Sequence, residues 1–144
     1  MAAAWQGHDA LVLEGAKRAL LTRQIAIIEF EVTAKGYWAT APIDVLYPER
    51  RSLAGTIELL HAAGYECFWQ ADGLVPMSGP CWLPFYETSR KWSNAVCAHD
   101  PEVISQLRSF GPRSLQVPKH VSGSGLFSTC ARDLAGCLAA FSRG

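Results

Sequence analysis

Acidic residues offer the clearest chemistry in this sequence, because a carboxylate held beside a reacting hydroxyl can accept its proton. Asp9 opens a segment with helical spacing, and Glu29 and Glu31 end an apolar run. Asp9 either caps the helix or lines the mouth of a pocket, and Glu31 either lines a pocket or is an exposed acid at a strand end. Glu29 alternates onto the side of Glu31 and is the weaker candidate. His8 is not expected to act with Asp9, because adjacent residues rarely form acid–base pairs.

The order of predicted elements is helix, strand, helix, strand, loop and strand, which indicates an α/β protein. Apolar residues at helical intervals predict a helix from Ala10 to Leu21. β-Branched and aromatic residues predict a strand over 24–32 that is buried on both faces, as in a parallel sheet. A second helix begins after the capping residue Ser52, and further strands are predicted at 65–69 and 92–97.

Glycine, proline and aspartate predict the remaining boundaries. Gly64 takes the position just after the second helix, and Leu74 starts a return strand after a turn. Residues 76–84 are too rich in proline and glycine for regular structure. Asp100-Pro101 opens a short helix over residues 101–110.

Composition restricts the classes of protein to which the chain can belong. Its 144 residues are enough for one domain, and 49% hydrophobic residues exclude a disordered chain. Thirteen Lys+Arg balance thirteen Asp+Glu, which argues against binding to nucleic acid or to an acidic membrane surface. No apolar run approaches the roughly 20 residues of a membrane span. We assign residues 1–110 to the domain and 111–144 to a C-terminal appendage with a short helix.

Five cysteines, an odd number without any Cys-x-x-Cys pair, indicate reduced and packed thiols in a cytoplasmic protein. They lie at positions 67, 81, 97, 130 and 137. No metal site is expected, because Cys97 and His99 lack a matching second pair of ligands.

Several short motifs occur in an order that resembles a known family. They are Gly7-His8-Asp9-Ala10-Leu11-Val12-Leu13-Glu14-Gly15-Ala16, a strand ending in Phe30-Glu31, Gly64-Tyr65-Glu66-Cys67-Phe68-Trp69, Cys81-Trp82 and Trp92-Ser93-Asn94-x-Val96-Cys97. In this order and spacing they resemble the C-terminal half of FkbM-type S-adenosylmethionine-dependent methyltransferases. The resemblance extends over residues 4–110.

The resemblance implies a partial Rossmann-like methyltransferase fold, the second half of a doubly wound sheet. Residues 24–32 would form its fifth strand, 65–70 its sixth and 93–98 its antiparallel seventh. The family relationship implies S-adenosylmethionine as the cofactor. It also implies transfer of the methyl group to a hydroxyl of a small molecule or sugar.

By the same resemblance, Glu31 and Asp9 are the catalytic candidates, and Gln6 and Gly7, at the end of the family's fourth strand, would contact the cofactor. The family's Asp-x-Glu-Gly motif is replaced here by Ala4-Trp5-Gln6-Gly7, and its cofactor-binding strands would precede Met1. We therefore expect the chain alone not to bind S-adenosylmethionine with useful affinity and to be inactive alone. One alternative is a non-catalytic interaction module of the same fold, whose exposed sheet edge recruits a partner or self-associates. Another is an unrelated small thiol-containing α/β protein, which would leave the order of the motifs unexplained.

Overall fold

An open four-stranded antiparallel sheet organises the part of the chain that the structure describes. The structure is a computed structural model, and it describes residues 8–33, 38, 52–88 and 93–111. Helices lie before, between and after the strands, so the mixed content of helix and strand predicted from the sequence is confirmed. None of the described helices is long and apolar enough to cross a membrane. The candidate residues Gln6 and Gly7, and the appendage apart from Gly111, lie outside the described residues.

The elements follow the predicted order with three corrections. The strands are β1 (Ile27–Val32), β2 (Glu66–Gln70), β3 (Leu74–Pro76) and β4 (Ser93–Ala98). The helices are α1 (Asp9–Gly15), α2 (Lys17–Leu21), α3 (Leu53–Ala62), α4 (Pro84–Thr88) and α5 (Pro101–Ser109), with a 3-10 turn at Gly79–Cys81. The predicted helix 10–21 is divided at Ala16, and β1 begins three residues later than predicted. Residues 76–84, expected to be irregular, include the 3-10 turn and the first residue of α4.

The sheet has the strand order β1-β4-β2-β3. β4 lies between β1 and β2 and is antiparallel to both, so β1 and β2 run in the same direction. Ala98 is opposite Ile27 on one side and Glu66 on the other. The three strands predicted at 24–32, 65–70 and 93–98 therefore lie side by side, with the last one antiparallel, as expected.

β3 is the predicted return strand, and it accommodates a proline without losing a hydrogen bond of the sheet. Pro76 is opposite Phe68, while the neighbouring pair is Trp69 with Val75. Successive residues of β2 direct their backbone groups to opposite sides, and the C=O of Cys67 accepts from the N–H of Met77 on the β3 side. Phe68 therefore directs its backbone N–H and C=O towards β4. Because Phe68 offers Pro76 no acceptor, the N–H that proline lacks is not needed at this position.

Apolar residues cover both faces of the sheet, but not along its whole length. On one face the helices α1, α2 and α3 pack over a core that contains Phe30, Trp69 and Cys97. On the other face Ile104 of α5 packs on Phe68. β1 is exposed or half-buried over its first three residues, so the prediction of a strand buried on both faces is wrong. The reason is its position at the end of the strand order, beyond the reach of α5.

Local capping signals are confirmed. Ser52 Oγ accepts from the N–H of Gly55 at 3.0 Å and begins α3. Gly64 follows α3 with a φ of 90°, in the left-handed region that favours glycine. Asp100 Oδ1 accepts from the N–H groups of Glu102 and Val103 at 2.9 and 3.2 Å and begins α5.

A disulfide joins Cys67 of β2 to Cys97 of β4, so the prediction of reduced thiols is wrong for this pair. The two residues are directly opposite each other, with their Cα atoms 4.0 Å apart. Cys67 directs its backbone N–H and C=O away from β4, to Ser78 and Met77. Cys67 and Cys97 are therefore a non-hydrogen-bonded pair, where opposite side chains approach most closely. The buried Cys81 is also disulfide-bonded.

Replacing Cys67 and Cys97 together by alanine (C67A/C97A) is expected to lower the free energy of unfolding by about 3–4 kcal/mol. The two cysteines are 30 residues apart, and opening this loop gives the unfolded chain more conformations. Urea unfolding without reductant measures the difference between the variant and the wild type. Adding reductant to the variant then isolates the contribution of Cys81. A variant as stable as the wild type would contradict this account of the bond.

Candidate functional site

The N-terminus of α1 meets the end of β1, and this contact brings Asp9 and Glu31 together. Asp9 Oδ2 accepts a hydrogen bond from the backbone N–H of Glu31 at 2.7 Å. The prediction that Asp9 caps its own helix is wrong, because the N-cap is His8 and Asp9 is the first helical residue. Its carboxylate instead satisfies an N–H at the edge of the sheet, where none of the described strands is placed to accept it.

Trp38 fixes the other backbone group of Glu31. Its indole N–H donates to the backbone C=O of Glu31 at 2.9 Å. The Trp38 side chain is fully buried, and its ring lies 5.8 Å from that of Phe30. The backbone of Glu31 is thus held by Asp9 through its N–H and by Trp38 through its C=O. Sequence reasoning did not identify Trp38, since nothing local to it indicates contact with a strand seven residues earlier.

Glu31 is half-buried, and one oxygen of its carboxyl is shielded from solvent. Its Oε1 atom is buried and has no hydrogen-bond partner among the residues that the structure describes. Burial raises the pKa of the Glu31 carboxyl above its usual range, and the negative charge of Asp9 raises it further. A carboxyl with a raised pKa holds its proton closer to neutral pH than an ordinary glutamate does, which suits general acid–base chemistry.

Glu29, two residues earlier on the same face of β1, has a different environment. It is exposed, and its Oε1 accepts from the side-chain amides of Asn94 at 2.9 Å and Gln70 at 3.2 Å. These bonds connect β1, β4 and β2 across the sheet surface. They also give Asn94, for which the sequence indicated no definite role, a contact within the sheet. Of the two glutamates, only Glu31 has a carboxylate oxygen left buried and unsatisfied.

The arrangement fits a proton acceptor at the carboxyl end of a strand. Glu31 is the fifth of the six residues of β1 and therefore lies at the carboxyl end of that strand. The structure thus brings together Glu31 and Asp9, the two predicted catalytic candidates. Within the described ranges, no group of three or more His, Cys, Asp or Glu residues is arranged to hold a metal ion.

A second polar cluster lies at the opposite end of the sheet. The Tyr65 hydroxyl donates to the C=O of Ile25 at 2.5 Å, and its ring meets that of His99 edge-on, with centroids 5.1 Å apart. Burial raises the pKa of the Tyr65 hydroxyl, and the positive charge of Arg23 partly opposes the shift. Arg23 donates from Nε to the C=O of Ala63 at 2.8 Å, tying the turn after α2 to the end of α3. We interpret this cluster as structural.

Comparisons with protein-family models, with curated proteins and with solved structures find no match to this chain. The methyltransferase resemblance therefore stays a prediction, supported by the motifs quoted above.

Glu31→Gln is expected to raise the melting temperature at about pH 7.5, because the amide removes a charge that the folded state solvates poorly. A carboxyl with a raised pKa in the folded state binds its proton more tightly there than in the unfolded chain. The ionised Glu31 carboxyl therefore lowers the free energy of unfolding at pH values above its pKa in the folded state. This penalty disappears as the pH falls below the ordinary pKa of a glutamate.

Thermal unfolding followed by circular dichroism, from about pH 8 to about pH 4, measures the effect, and the gain should shrink towards the acid end. The matched control is Glu29→Gln, which replaces an exposed, hydrogen-bonded carboxylate of the same strand. A Glu31→Gln variant that is no more stable than the wild type at about pH 7.5 would contradict the proposed burial cost.

Asp9→Asn is expected to lower the pKa of Glu31 towards its usual value. The amide oxygen can still accept from the Glu31 N–H, so the substitution removes the charge and keeps the acceptor. Part of the shift should remain, because burial is its larger cause. Carboxyl carbon chemical shifts of Glu31, followed by NMR against pH, measure both quantities. An unchanged Glu31 titration in the variant would exclude Asp9 as a cause.

Proposed function

We propose that this chain is the C-terminal, substrate-side part of an FkbM-like methyltransferase domain, in which Glu31 accepts the proton of the methyl acceptor. The observation that carries the proposal is the buried, unpartnered Oε1 atom of Glu31 beside Asp9 at the end of β1. The strand arrangement supports it, since three strands side by side in one sheet, with the last one antiparallel, are what the resemblance implies.

The chemistry assigned to this chain is proton transfer. Attack by an acceptor hydroxyl on a methyl group requires loss of the hydroxyl proton, and a carboxylate within hydrogen-bond reach can take it. Glu31 supplies that carboxylate, and its raised pKa favours holding the proton that it receives. The hydrogen bonds to Asp9 and Trp38 fix the backbone from which the Glu31 side chain extends. The proposed acceptor is a small molecule or sugar that carries a hydroxyl group.

The described residues do not fit a complete site for S-adenosylmethionine. β2 leads into β3, β3 leads into the 3-10 turn, and β4 leads through His99 and Asp100 into α5. None of these three connections is a glycine-rich loop that opens a helix, the element that approaches a nucleotide closely. We therefore assign the proton acceptor to this chain and derive no methyl-donating step from its residues.

The second candidate function is an interaction module built on the same fold. It is favoured by the position of β1 at the end of the strand order, where its outer edge has no partner among the described strands. An open edge is a ready template for pairing with another chain, including a second copy of this one. Size-exclusion chromatography with light scattering tests this candidate. A chain that is monomeric alone, and that stays monomeric when it is mixed with each protein tested, would contradict it.

The proposed cytoplasmic location is weakened by the disulfide. It rested on reduced thiols, whereas Cys67 and Cys97 are bonded to each other. Structural disulfides form and persist mainly in oxidising compartments and are rare in the cytosol. Counting free thiols in protein purified from its native source would decide between the two environments.

Titration of S-adenosylmethionine into this chain is expected to show no micromolar binding, because the described strand ends provide no complete cradle for it. Isothermal titration calorimetry makes the measurement. A product that also contains upstream strands should bind the cofactor. In that product, Glu31→Gln should retain binding but lower methyl transfer to a hydroxyl acceptor by about 10²–10⁴-fold.

The matched control for this loss of activity is Glu29→Gln, which should leave both binding and transfer unchanged. Full activity of the Glu31→Gln product would remove Glu31 from the role of proton acceptor. Micromolar binding of S-adenosylmethionine by the present chain would contradict the proposal that upstream strands supply the cofactor site.

A further inference from the structure

The two edges of the described sheet differ in how they are closed. At the β3 edge, the backbone N–H of Leu74 donates to the C=O of Phe110 at 2.8 Å, so the segment after α5 covers that side. At the β1 edge, Glu31 is covered through Asp9 and Trp38. The first half of β1 has no equivalent cover among the described residues.

The direction of the free backbone groups follows from the contacts of Glu31. Its N–H and C=O point away from β4, because they meet Asp9 and Trp38 rather than the paired strand. Alternate residues of a strand direct their backbone groups to the same side. Ile27 and Glu29 therefore present their N–H and C=O groups outwards. In the described part of the chain, the structure gives these outward groups no hydrogen-bond partner.

The same stretch is accessible from solvent. The side chain of Ile27 is 50% exposed, and Ala26 and Glu29 are exposed as well. Ile27 is one of the few large apolar side chains in the described ranges that are this exposed. An unpaired backbone and an accessible apolar side chain together match the requirements for adding a strand to a sheet.

The charge of the edge identifies the kind of strand that fits. Glu29 and Glu31 lie on one face of β1, and Asp9 lies against its end, so the edge carries three acidic groups. Opposite charges on facing positions stabilise strand pairs, and like charges destabilise them. If two copies paired antiparallel about a two-fold axis at Glu29, the two Glu29 side chains would lie opposite each other. An axis at Ile28 would place the two Glu29 side chains diagonally across the strand pair. A second copy is therefore a poor occupant.

We propose that residues 26–29 of β1 bind an extended segment of another protein that carries lysine or arginine at alternate positions. Its backbone would bond to the outward groups of Ile27 and Glu29. Its cationic side chains would lie on the face that carries the carboxylates and Ile27, and the aliphatic stem of one of them would cover the Ile27 side chain. This proposal rests on the interaction-module candidate, because in the methyltransferase proposal the family's fourth strand would pair with this edge.

The experiment uses the full chain and three labelled ten-residue peptides that alternate valine with lysine, glutamate or serine. Fluorescence anisotropy should give at least ten-fold tighter binding for the lysine peptide than for the glutamate peptide, with affinity falling as salt is raised. Backbone NMR of the labelled chain should place the largest shift changes at residues 26–29.

Ile27→Pro removes the outward N–H and should weaken binding of the lysine peptide at least ten-fold. This N–H does not face β4, so the pairing of β1 with β4 should survive, and thermal unfolding checks that it does. The matched control Ile27→Thr keeps the N–H and a β-branched side chain and should bind like the wild type. As a second variant, Glu29→Lys should reverse the preference towards the glutamate peptide.

Three results would overturn the proposal. They are the absence of peptide binding, equal affinity for the three peptides, or binding that is unaffected by both Ile27→Pro and Glu29→Lys. A chain that dimerises in light scattering, with Ile27→Pro abolishing the dimer, would assign the edge to a second copy instead. Loss or absence of methyl transfer leaves the proposal standing, because none of these readouts measures it.

Discussion

The position of β4 between two strands is the constraint on which the described structure depends. Successive residues of β4 pack on opposite faces of the sheet. Ala95 and Cys97 lie on the face covered by α1, α2 and α3, and Val96 and Ala98 lie on the face covered by α5. A shift of one residue in its register would exchange these two sets and bury the wrong side chains on each face. The same register determines which residues of β1 and β2 lie opposite β4. The disulfide and the polar contacts of Asn94 both follow from it.

One hydrogen bond links the architecture to the candidate chemistry. The Asp9 carboxylate orders the end of β1 by accepting from its backbone, and in doing so it lies beside the carboxyl of Glu31. The contact that closes part of the sheet edge is thus also a source of electrostatic repulsion. Glu29, which instead has two amide donors, shows how an acid on the same strand is accommodated without that conflict. Functional sites in proteins commonly hold side chains in positions that lower the stability of the folded state.

The parts of this fold that the sequence predicted depend on interactions within a few residues. Ser52 and Asp100 cap helices through N–H groups two or three residues away, and Gly64 adopts a conformation that glycine accepts readily. The three main strands were also predicted, because their apolar and β-branched content is a local signal. The antiparallel sense of the last strand came from the family resemblance instead.

The failed predictions depend on residues that are distant in sequence. Asp9 has the ordinary signature of a helix cap, and only the approach of β1, 22 residues later, redirects its carboxylate. The bond between Cys67 and Cys97 requires the strand register, which spacing alone does not give. Both candidate acids were identified from the sequence, but their hydrogen bond and the part played by Trp38 were not. These contacts arise only when α1, β1 and residue 38 are assembled.

The bond between Cys67 and Cys97 also has a consequence for how the molecule withstands damage. It encloses β3, the 3-10 turn and α4 within a covalent ring that begins in β2 and ends in β4. A protease that cleaves the chain once inside this ring leaves both fragments tethered. Because β2 and β4 remain adjacent, such a nicked molecule can keep its central strand pair, and the cut becomes visible as separate fragments only after reduction.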